Sequence, residues 1–332
     1  MQSAFALVVL LLALAPAPAA AQERQEITLG AFGGGFNLPN WVAEKKGFFS
    51  REGLKVNITY TRGSAQLIAD VAAGKVQIYM GSADNIVAYR EGQGEAKVPD
   101  DFDLTILFGV SSGFVSIISA PDVKRLSDLK GKRVCLDALT TGYAFIAYDL
   151  LQRAGVGEGE VAFLPAGGTD ARFKALIDGK CEGTVTLAPF DSIAVDRGYH
   201  RLVGATEAYG AYQGTVAGAR ASWAREHCAA VIAFTRAFKA AVDWLYDPAN
   251  RAEALAILAA GEPQLPPARV EQSLASMIGS DGFFRDLKPS DAGLKRVLAL
   301  REKYGKPQKA LADPGKYVDL SYYDAAMKGG RQ

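Results

Sequence analysis

Short runs of glycine, serine and threonine recur along this chain, and most of them come directly before a stretch with helical periodicity. At such positions the free backbone N–H groups and the helix dipole suit anions, and glycine lets the backbone approach a ligand closely. We therefore predict a small-molecule binding site formed by several loops. The candidate ligand-binding residues are Gly34, Gly35, Phe36, Asn37, Leu38, Arg62, Gly63, Ser64, Gly81, Ser82, Asp84, Ser111, Ser112, Thr140, Thr141, Gly142, Tyr143, Pro189, Phe190 and Asp191.

Many of these residues also have an ordinary structural explanation. Ser64, Ser82 and Thr141 are suited to cap helices. The glycines at 33–35 are compatible with a flexible turn, and a phosphate-binding loop is disfavoured because no Lys-Ser or Lys-Thr pair follows them. The loop at 167–169 also opens a predicted helix and is one of the candidate loops, although its residues are not among the candidate residues named above.

The charged and aromatic candidates indicate two kinds of ligand. Arg62 follows a predicted strand, where a guanidinium can bind a carboxylate or sulfonate in a bidentate manner; the alternative is a solvated surface charge. Asp84 and Asp191 either cap helices or indicate an amine-bearing ligand. Three aromatic residues at loop–helix junctions are suited to stack on a flat ligand, namely Phe36, Tyr143 and Phe190.

Metal and covalent chemistry have little support in the sequence. There are two histidines and three cysteines, with no pair at metal-ligand spacing, so we expect neither a metal nor a cofactor. Ser111 and Ser112 have no histidine near them in the sequence to act as a base. One disulfide, between Cys135 and Cys181, is compatible with an oxidising compartment; buried free thiols are the alternative, and the sequence leaves the choice open.

The elements that position these loops alternate between strand and helix. Strands are predicted at 26–32, 54–60, 76–80, 104–110, 114–120, 132–137, 161–164, 183–187, 200–204 and 212–219. Helices are predicted at 39–46, from 64 to 74, from 82 or 84, and at 142–155, 169–179, 189–197, 222–246, 249–260, 267–278, 289–304 and 319–328. Alternation of this kind predicts an α/β fold with parallel strands.

The elements form two α/β series followed by a helical tail, which predicts two lobes. We place the chain crossings near 111–115 and 208–214, so that lobe 1 comprises 22–111 and 214–332 and lobe 2 comprises 115–208. Two connections between lobes have the geometry of a hinge. Ligands of such sheets bind beyond the carboxyl ends of the strands, where the candidate loops lie.

The N-terminus predicts export from the cytoplasm. Residues 4–15 read AFALVVLLLALA, and an Ala-rich cleavage site precedes Gln22, which is typical of a signal peptide over residues 1–21. The rest of the chain has no apolar run of membrane length, and the net charge of +1 gives no basic stripe for nucleic acid. We expect a soluble monomer.

Several segments carry a family resemblance. Residues 36–56 read FNLPNWVAEKKGFFSREGLKV, and GSAQLIADVAAGKVQIYMGS, LSDLKGKRVCLDALTTGYAF and YVDLSYYDAA follow in that order. Together they resemble the nitrate/sulfonate/taurine group of ABC-transporter substrate-binding proteins, which also includes thiamine-pyrimidine binders. One departure is Gln77, where the family usually carries Asp. We interpret that change as structural because it lies at the start of a strand.

The resemblance implies a type II periplasmic-binding-protein fold and a function. The chain would capture a sulfonate, nitrate, carboxylate or pyrimidine between its lobes in the periplasm. It would deliver that ligand to an ABC permease with its cytoplasmic ATPase. The alternatives are an enzyme on the same fold and a sensory binding protein that docks to a membrane receptor. The loops vary across such a family, so the resemblance leaves the ligand open.

Overall fold

Ten strands form two separate five-stranded sheets in the computed structural model, which describes residues 24–329. The predicted signal peptide lies outside the described residues. The strands of the first sheet are β1 (Gln25–Phe32), β2 (Leu54–Thr61), β3 (Ile78–Ser82), β4 (Leu104–Ser111) and β10 (Thr215–Arg220). Those of the second sheet are β5 (Ser116–Ser119), β6 (Arg133–Leu136), β7 (Ala162–Pro165), β8 (Gly183–Thr186) and β9 (His200–Gly204).

Fourteen α-helices and five short 3-10 helices accompany the sheets in the described residues. The helices are α1 (Leu38–Lys45), α2 (Phe48–Arg51), α3 (Ser64–Ala72), α4 (Ala83–Arg90), α5 (Gly142–Arg153), α6 (Thr169–Ile177), α7 (Phe190–Asp196), α8 (Ala205–Tyr209), α9 (Ala221–Glu226), α10 (Cys228–Tyr246), α11 (Arg251–Gly261), α12 (Pro267–Met277), α13 (Asp291–Tyr304) and α14 (Ser321–Lys328). The 3-10 helices are Gly35–Asn37, Leu126–Leu129, Glu158–Glu160, Pro248–Asn250 and Pro314–Tyr317.

Both sheets are mixed, with the same pattern of strands. The first has the order β2-β1-β3-β10-β4 and the second the order β7-β6-β8-β5-β9. β1 pairs in parallel with β2 and β3, whereas β10 is antiparallel to β3 and β4. The parallel strands bring their carboxyl ends to one edge, and the following loops meet there. The predicted α/β class is confirmed.

The chain passes between the sheets twice. It leaves the first sheet after Ser111 and enters the second at Ser116, and it returns between Gly204 and Thr215. We call the first sheet with its packed helices the first lobe, and residues 116–204 the second lobe.

The helices after β10 pack largely on the first lobe. Phe234 of α10 stacks on Phe49 of α2 at 5.5 Å and on Phe108 of β4 at 6.2 Å. Helix α13 contacts both lobes, since it packs on α4 and on α5. Its Tyr304 lies 5.8 Å from Phe145 of α5, between ring centres. Helix α13 therefore bridges the two lobes.

Four local features differ from the sequence predictions or were left open by them. Neither α2, which begins directly after Gly47, nor α8 was predicted. The helix expected over 222–246 is two helices, interrupted at His227. Cys135 of β6 and Cys181 form a disulfide, while Cys228 is an exposed free thiol.

Candidate functional site

A cavity lies between the lobes, at the carboxyl ends of β1 and β3 and at the N-termini of α3, α5 and α6. About 30 Å³ of it is open to the centres of water molecules, which is room for two or three waters. It is lined by Phe32, Phe36, Ser64, Met80, Gly81, Ser82, Asn85, Asp137, Thr141, Gly142, Tyr143, Thr169, Arg172, Leu187 and Thr215. A ring of hydroxyl groups and apolar side chains thus surrounds one arginine and one aspartate.

Arg172 is the cation of this cavity. It lies at the end of the first turn of α6 and is 2% exposed. Its guanidinium folds back to donate to the carbonyl oxygens of Val185 (2.9 Å) and Gly167 (2.7 Å) and to Oγ1 of Thr169 (3.2 Å). Three of its five N–H donors are thereby used. Burial lowers the pKa of Arg172, and the negative charge of Asp137 opposes that change.

Within residues 24–329, no carboxylate lies at ion-pair distance from Arg172, although a buried charge is normally paired. The more distant charges of Asp137 and Asp170 offset the effect of burial on its pKa only in part. An anionic group entering the cavity would provide that missing partner and take up the two remaining N–H donors. The geometry of the site therefore favours an anion.

Asp137 and Ser64 join the two lobes at the cavity wall. The Ser64 hydroxyl donates to Oδ2 of Asp137, and the Ser64 backbone N–H donates to Oδ1 at 3.4 Å. Ser64 was a predicted helix cap, but Gly63 occupies the N-cap position of α3 and Ser64 is the first helical residue. Its hydroxyl is therefore available for the contact across the cleft.

Two of the three predicted aromatic residues line the cavity. Phe36 and Tyr143 reach it, and burial raises the pKa of the Tyr143 hydroxyl well above its ordinary value. Phe190 does not reach it. That ring is 3% exposed and packs on Phe173 at 5.2 Å, so it belongs to the core of the second lobe.

Arg62, a predicted ligand-binding residue, does not line this cavity. Its side chain is exposed, and only its backbone carbonyl crosses the cleft, accepting from the N–H of Gly168 at 2.8 Å. Ser64, two residues further along the chain, does line the cavity, so the difference lies in the direction of the Arg62 side chain and not in the position of the loop. Gly63 lies in this same loop and is also outside the cavity lining.

The negative charge of Asp84 is already balanced by an ion pair with Arg301, which argues against an amine-bearing ligand at this carboxylate. Arg301 binds it in a bidentate manner with two contacts of 2.6 Å, and both side chains are fully buried. The backbone N–H of Gly142 donates to the same carboxylate at 2.6 Å. Ser82 does cap α4, as predicted, by accepting from the Asp84 N–H.

Most of the first predicted loop supports the fold. The Asn37 amide donates to the carbonyl oxygens of Phe32 and Gly34 at 2.7 and 2.8 Å, and Leu38 is buried in the core. Gly34 has a φ of 147°, which requires glycine. A Cβ on Gly35 would meet Met277, Leu258 and Pro189. Of the residues in this loop, Phe36 is the one that lines the cavity.

The remaining predicted residues lie elsewhere around the cleft. Ser112 and Asp191 line a second, more open cavity beside the chain crossing, where Arg201 stands 3.9 Å from Asp191. Burial raises the pKa of Asp191. The Ser111 hydroxyl accepts from the Gly113 N–H. Thr140 donates to Glu95 through its hydroxyl, and the predicted cap Thr141 instead donates to the carbonyl of Ala138.

Seven of the twenty predicted residues thus line the first cavity described above: Phe36, Ser64, Gly81, Ser82, Thr141, Gly142 and Tyr143. Sequence reasoning missed Phe32, Met80, Asn85, Asp137, Arg172, Leu187 and Thr215, and it named the loop of Thr169 without including it among the candidates. A signal was present for Arg172. Arg172 stands four residues after Gly168, near the start of the helix that follows this glycine loop. The loop itself was predicted to lie at the cleft.

Within the described residues, no group of three or more His, Cys, Asp or Glu side chains is arranged to hold a metal ion. Across the same residues, no helix combines the length and apolar character needed to span a bilayer.

Two mixed sheets with packed helices, two chain crossings between them and a cavity at their junction are the architecture of periplasmic-binding-protein folds. Similar solved structures have the same architecture. A protein from Bordetella bronchiseptica RB50 is similar with a TM-score of 0.78 at 19% identity, covering 93% of this chain and 99% of that one. The periplasmic nitrate-binding protein NrtA from Synechocystis PCC 6803 has a TM-score of 0.74 at 13% identity, covering 94% and 90%. The alkanesulfonate-binding protein SsuA from Xanthomonas axonopodis pv. citri, bound to MOPS, has a TM-score of 0.65 at 17% identity, covering 86% and 92%.

The chain belongs to the NMT1/THI5-like family, whose model matches residues 37–252. This confirms the family predicted from the sequence segments. No curated protein matches the chain in sequence.

Proposed function

We propose that this protein is a periplasmic solute-binding protein that captures a small anion between its lobes and delivers it to an ABC permease with a cytoplasmic ATPase. The observation that carries the proposal is Arg172, a buried guanidinium that faces the cavity with two free N–H donors and, among residues 24–329, no carboxylate ion-pair partner. A buried cation of this kind is stabilised by an anionic ligand.

The cavity favours a ligand with a compact oxyanion head, such as nitrate, a sulfonate or a carboxylate. Ser82, Thr169 and Thr215 line the same cavity, and their hydroxyl groups supply additional hydrogen-bonding groups. The space is small, so a longer ligand would extend toward the cleft mouth. Relatives of the same fold carry the names of a nitrate-binding and an alkanesulfonate-binding protein, which fits this class.

Asp137 narrows the choice of ligand further. Its carboxylate faces the cavity but is occupied by the hydroxyl and N–H of Ser64. A ligand group beside it must be a hydrogen-bond donor or an apolar group, because a second negative charge would be repelled.

Two features support a periplasmic location and a two-lobed mechanism. The predicted signal peptide directs export, and the disulfide between Cys135 and Cys181 is typical of oxidising compartments. We propose that the lobes comprise 22–111 with 214–332 and 115–208, that they close about the crossings at 111–115 and 208–214, and that the protein acts as a monomer.

A thermal-shift screen tests this function. The protein is heated with nitrate, short alkanesulfonates, small carboxylates, pyrimidines and cationic amines in separate wells, and hits are titrated calorimetrically. A ligand at 100 times its dissociation constant stabilises the folded state by about 2.7 kcal/mol. We expect an anion among the hits, recovered chemically unchanged after incubation. A cationic amine as the strongest hit would overturn the anion assignment, and conversion of the ligand would indicate an enzyme.

A further inference from the structure

Asp84 and Arg301 form a buried ion pair beside the N-terminus of α5. Asp84 lies in the first turn of α4, and Arg301 lies near the end of α13. Their side chains are 1% and 0% exposed, and the two contacts of 2.6 Å make a bidentate pair. Gln93 accepts a further hydrogen bond from Arg301 at 3.3 Å. Such pairs fix geometry as well as contributing energy.

The same pair holds the second lobe. The N–H of Gly142, the first residue of α5, donates to Asp84 at 2.6 Å. Arg301 donates to the carbonyl oxygen of Thr140 at 2.7 Å, and its guanidinium lies 4.7 Å from the ring centre of Phe145. The start of α5, which lines the ligand cavity, is therefore docked on Asp84 and Arg301.

This arrangement changes the role of the α5 N-terminus. The sequence predicted that its free N–H groups would bind the ligand's negative charge. In the structure the Gly142 N–H already donates to the carboxylate of Asp84. The cation without a carboxylate at ion-pair distance is Arg172, which lies in α6.

We propose that Asp84 and Arg301 are positioning residues that clamp the N-terminus of α5 against the first lobe when the cleft closes, and that this docking sets the affinity for the solute. The clamp itself does not depend on the proposed function. Only the measurement of solute affinity rests on that function. The backbone of α5 supplies hydrogen-bonding partners to both members of the charged pair. Without α5 in place, water would have to solvate those charged groups.

Gly142 makes the clamp testable without removing a buried charge. A Cβ at this position would lie 2.5 Å from both Cβ and Cγ of Asp84, so the docked arrangement leaves no room for alanine. The backbone of Gly142 is helical and has no positive φ, so alanine is compatible with α5 itself. Gly159 is the matched control, because it lies in the same lobe, has no positive φ and has nothing within 4 Å of the place that a Cβ would take.

Cross-linking across the cleft mouth measures closure independently of any ligand. Arg62→Cys and Ala171→Cys place exposed thiols on opposite lobes, close to the contact between the Arg62 carbonyl and the Gly168 N–H. Cys228→Ser removes the exposed native thiol. The rate of cross-linking by a short bismaleimide is then compared for the parent, Gly142→Ala and Gly159→Ala, together with their unfolding temperatures.

We expect Gly142→Ala to slow cross-linking at least tenfold while the unfolding temperature stays close to that of Gly159→Ala. Gly142→Ala in the unmodified chain should also weaken binding of the screen's best anion at least tenfold. An unchanged cross-linking rate would overturn the clamp. Failure of Gly142→Ala to fold would also overturn it, since the contact would then belong to every folded state. If no solute binds the wild-type protein, the proposed function fails, and the cross-linking comparison still decides the clamp.

Discussion

At the scale of single residues, the charge of Arg172 determines what the cavity can hold. Replacing Arg172 with Met removes the cation while keeping most of the side-chain length. We expect the affinity for an anionic solute to fall by about 1.5–3 kcal/mol, or roughly 10- to 150-fold, which is the range for hydrogen bonds to charged groups. Isothermal titration with the screen's best anion measures the change.

Arg62→Ala is the matched control, because that arginine is exposed and does not line the cavity. Its affinity should remain within twofold of wild type. Circular dichroism would verify that Arg172→Met is folded, since three hydrogen bonds to the second lobe are lost with the guanidinium. Equal effects of the two substitutions would contradict the assignment of Arg172.

Glu262 predicts a pH dependence of stability. Burial, reinforced by the negative charge of Asp170, raises the pKa of Glu262 to about 7, against 4.5 for the same side chain in an unfolded chain. The folded state therefore holds more protons than the unfolded state between these values, and the free energy of unfolding falls as the pH rises from 4.5 to 7. Glu262→Gln should abolish this loss, worth about 1–3 kcal/mol.

Urea unfolding of wild type, Glu262→Gln and the exposed control Glu226→Gln at pH 5 and pH 8 measures this difference. Wild type and Glu226→Gln should lose stability between the two pH values, and Glu262→Gln should lose less. Parallel behaviour of all three proteins would refute the assignment.

The two arginines show what residue types alone can predict about a site. Arg62 and Arg172 both stand near glycine loops at the ends of strands, so position along the chain does not separate them. Strand order does not separate them either, because β2 and β7 are both edge strands of their sheets. The separation comes from side-chain direction, since Arg172 folds back onto Gly167 and Val185 and is buried, whereas Arg62 is exposed. Side-chain direction is not encoded in local sequence periodicity.

At the scale of elements, the disulfide secures the second sheet. Cys135 in β6 and Cys181 just before β8 are separated by 46 residues, which include α5, β7 and α6. Closing a loop of that length restricts the unfolded chain by up to about 4 kcal/mol. The double substitution Cys135→Ala and Cys181→Ala should therefore lower the free energy of unfolding by about 2–4 kcal/mol.

Chemical denaturation under non-reducing conditions measures this loss. Cys228→Ala is the control, since that thiol is exposed and free, and it should leave stability within about 0.5 kcal/mol of wild type. A double variant as stable as the control would show that the bridge contributes nothing to the folded state.

Element positions were largely predictable because strands and helices of this chain carry clear periodicity and glycine boundaries. The misses are short: α2 has four residues and α8 has five, too few to show a helical period. Capping was less predictable. Thr141 holds the N-cap position of α5 without a side-chain cap bond, because the carboxylate of Asp84 reaches that helix end from the other lobe. A contact between residues 58 positions apart leaves no local signal.

At the scale of the whole molecule, the backbone itself spans the cleft at two helix N-termini. The N–H of Gly142 donates to Asp84, and the N–H of Gly168 donates to the carbonyl of Arg62. Both acceptors lie in the first lobe and both donors in the second. These two amides are therefore protected from solvent exchange by closure of the lobes rather than by secondary structure within one lobe.

Hydrogen exchange followed by mass spectrometry should consequently show slower exchange of peptides containing residues 140–145 and 166–170 when the solute is added. The core of β4 is the internal control, because all of its residues are buried within one lobe and its exchange requires unfolding of that lobe. With Gly142→Ala, we expect added solute to protect 140–145 much less, since Asp84 can no longer receive the amide. Ligand-induced protection confined to β4, with both helix N-termini unchanged, would mean that the solute stabilises the first lobe without bringing the second onto it.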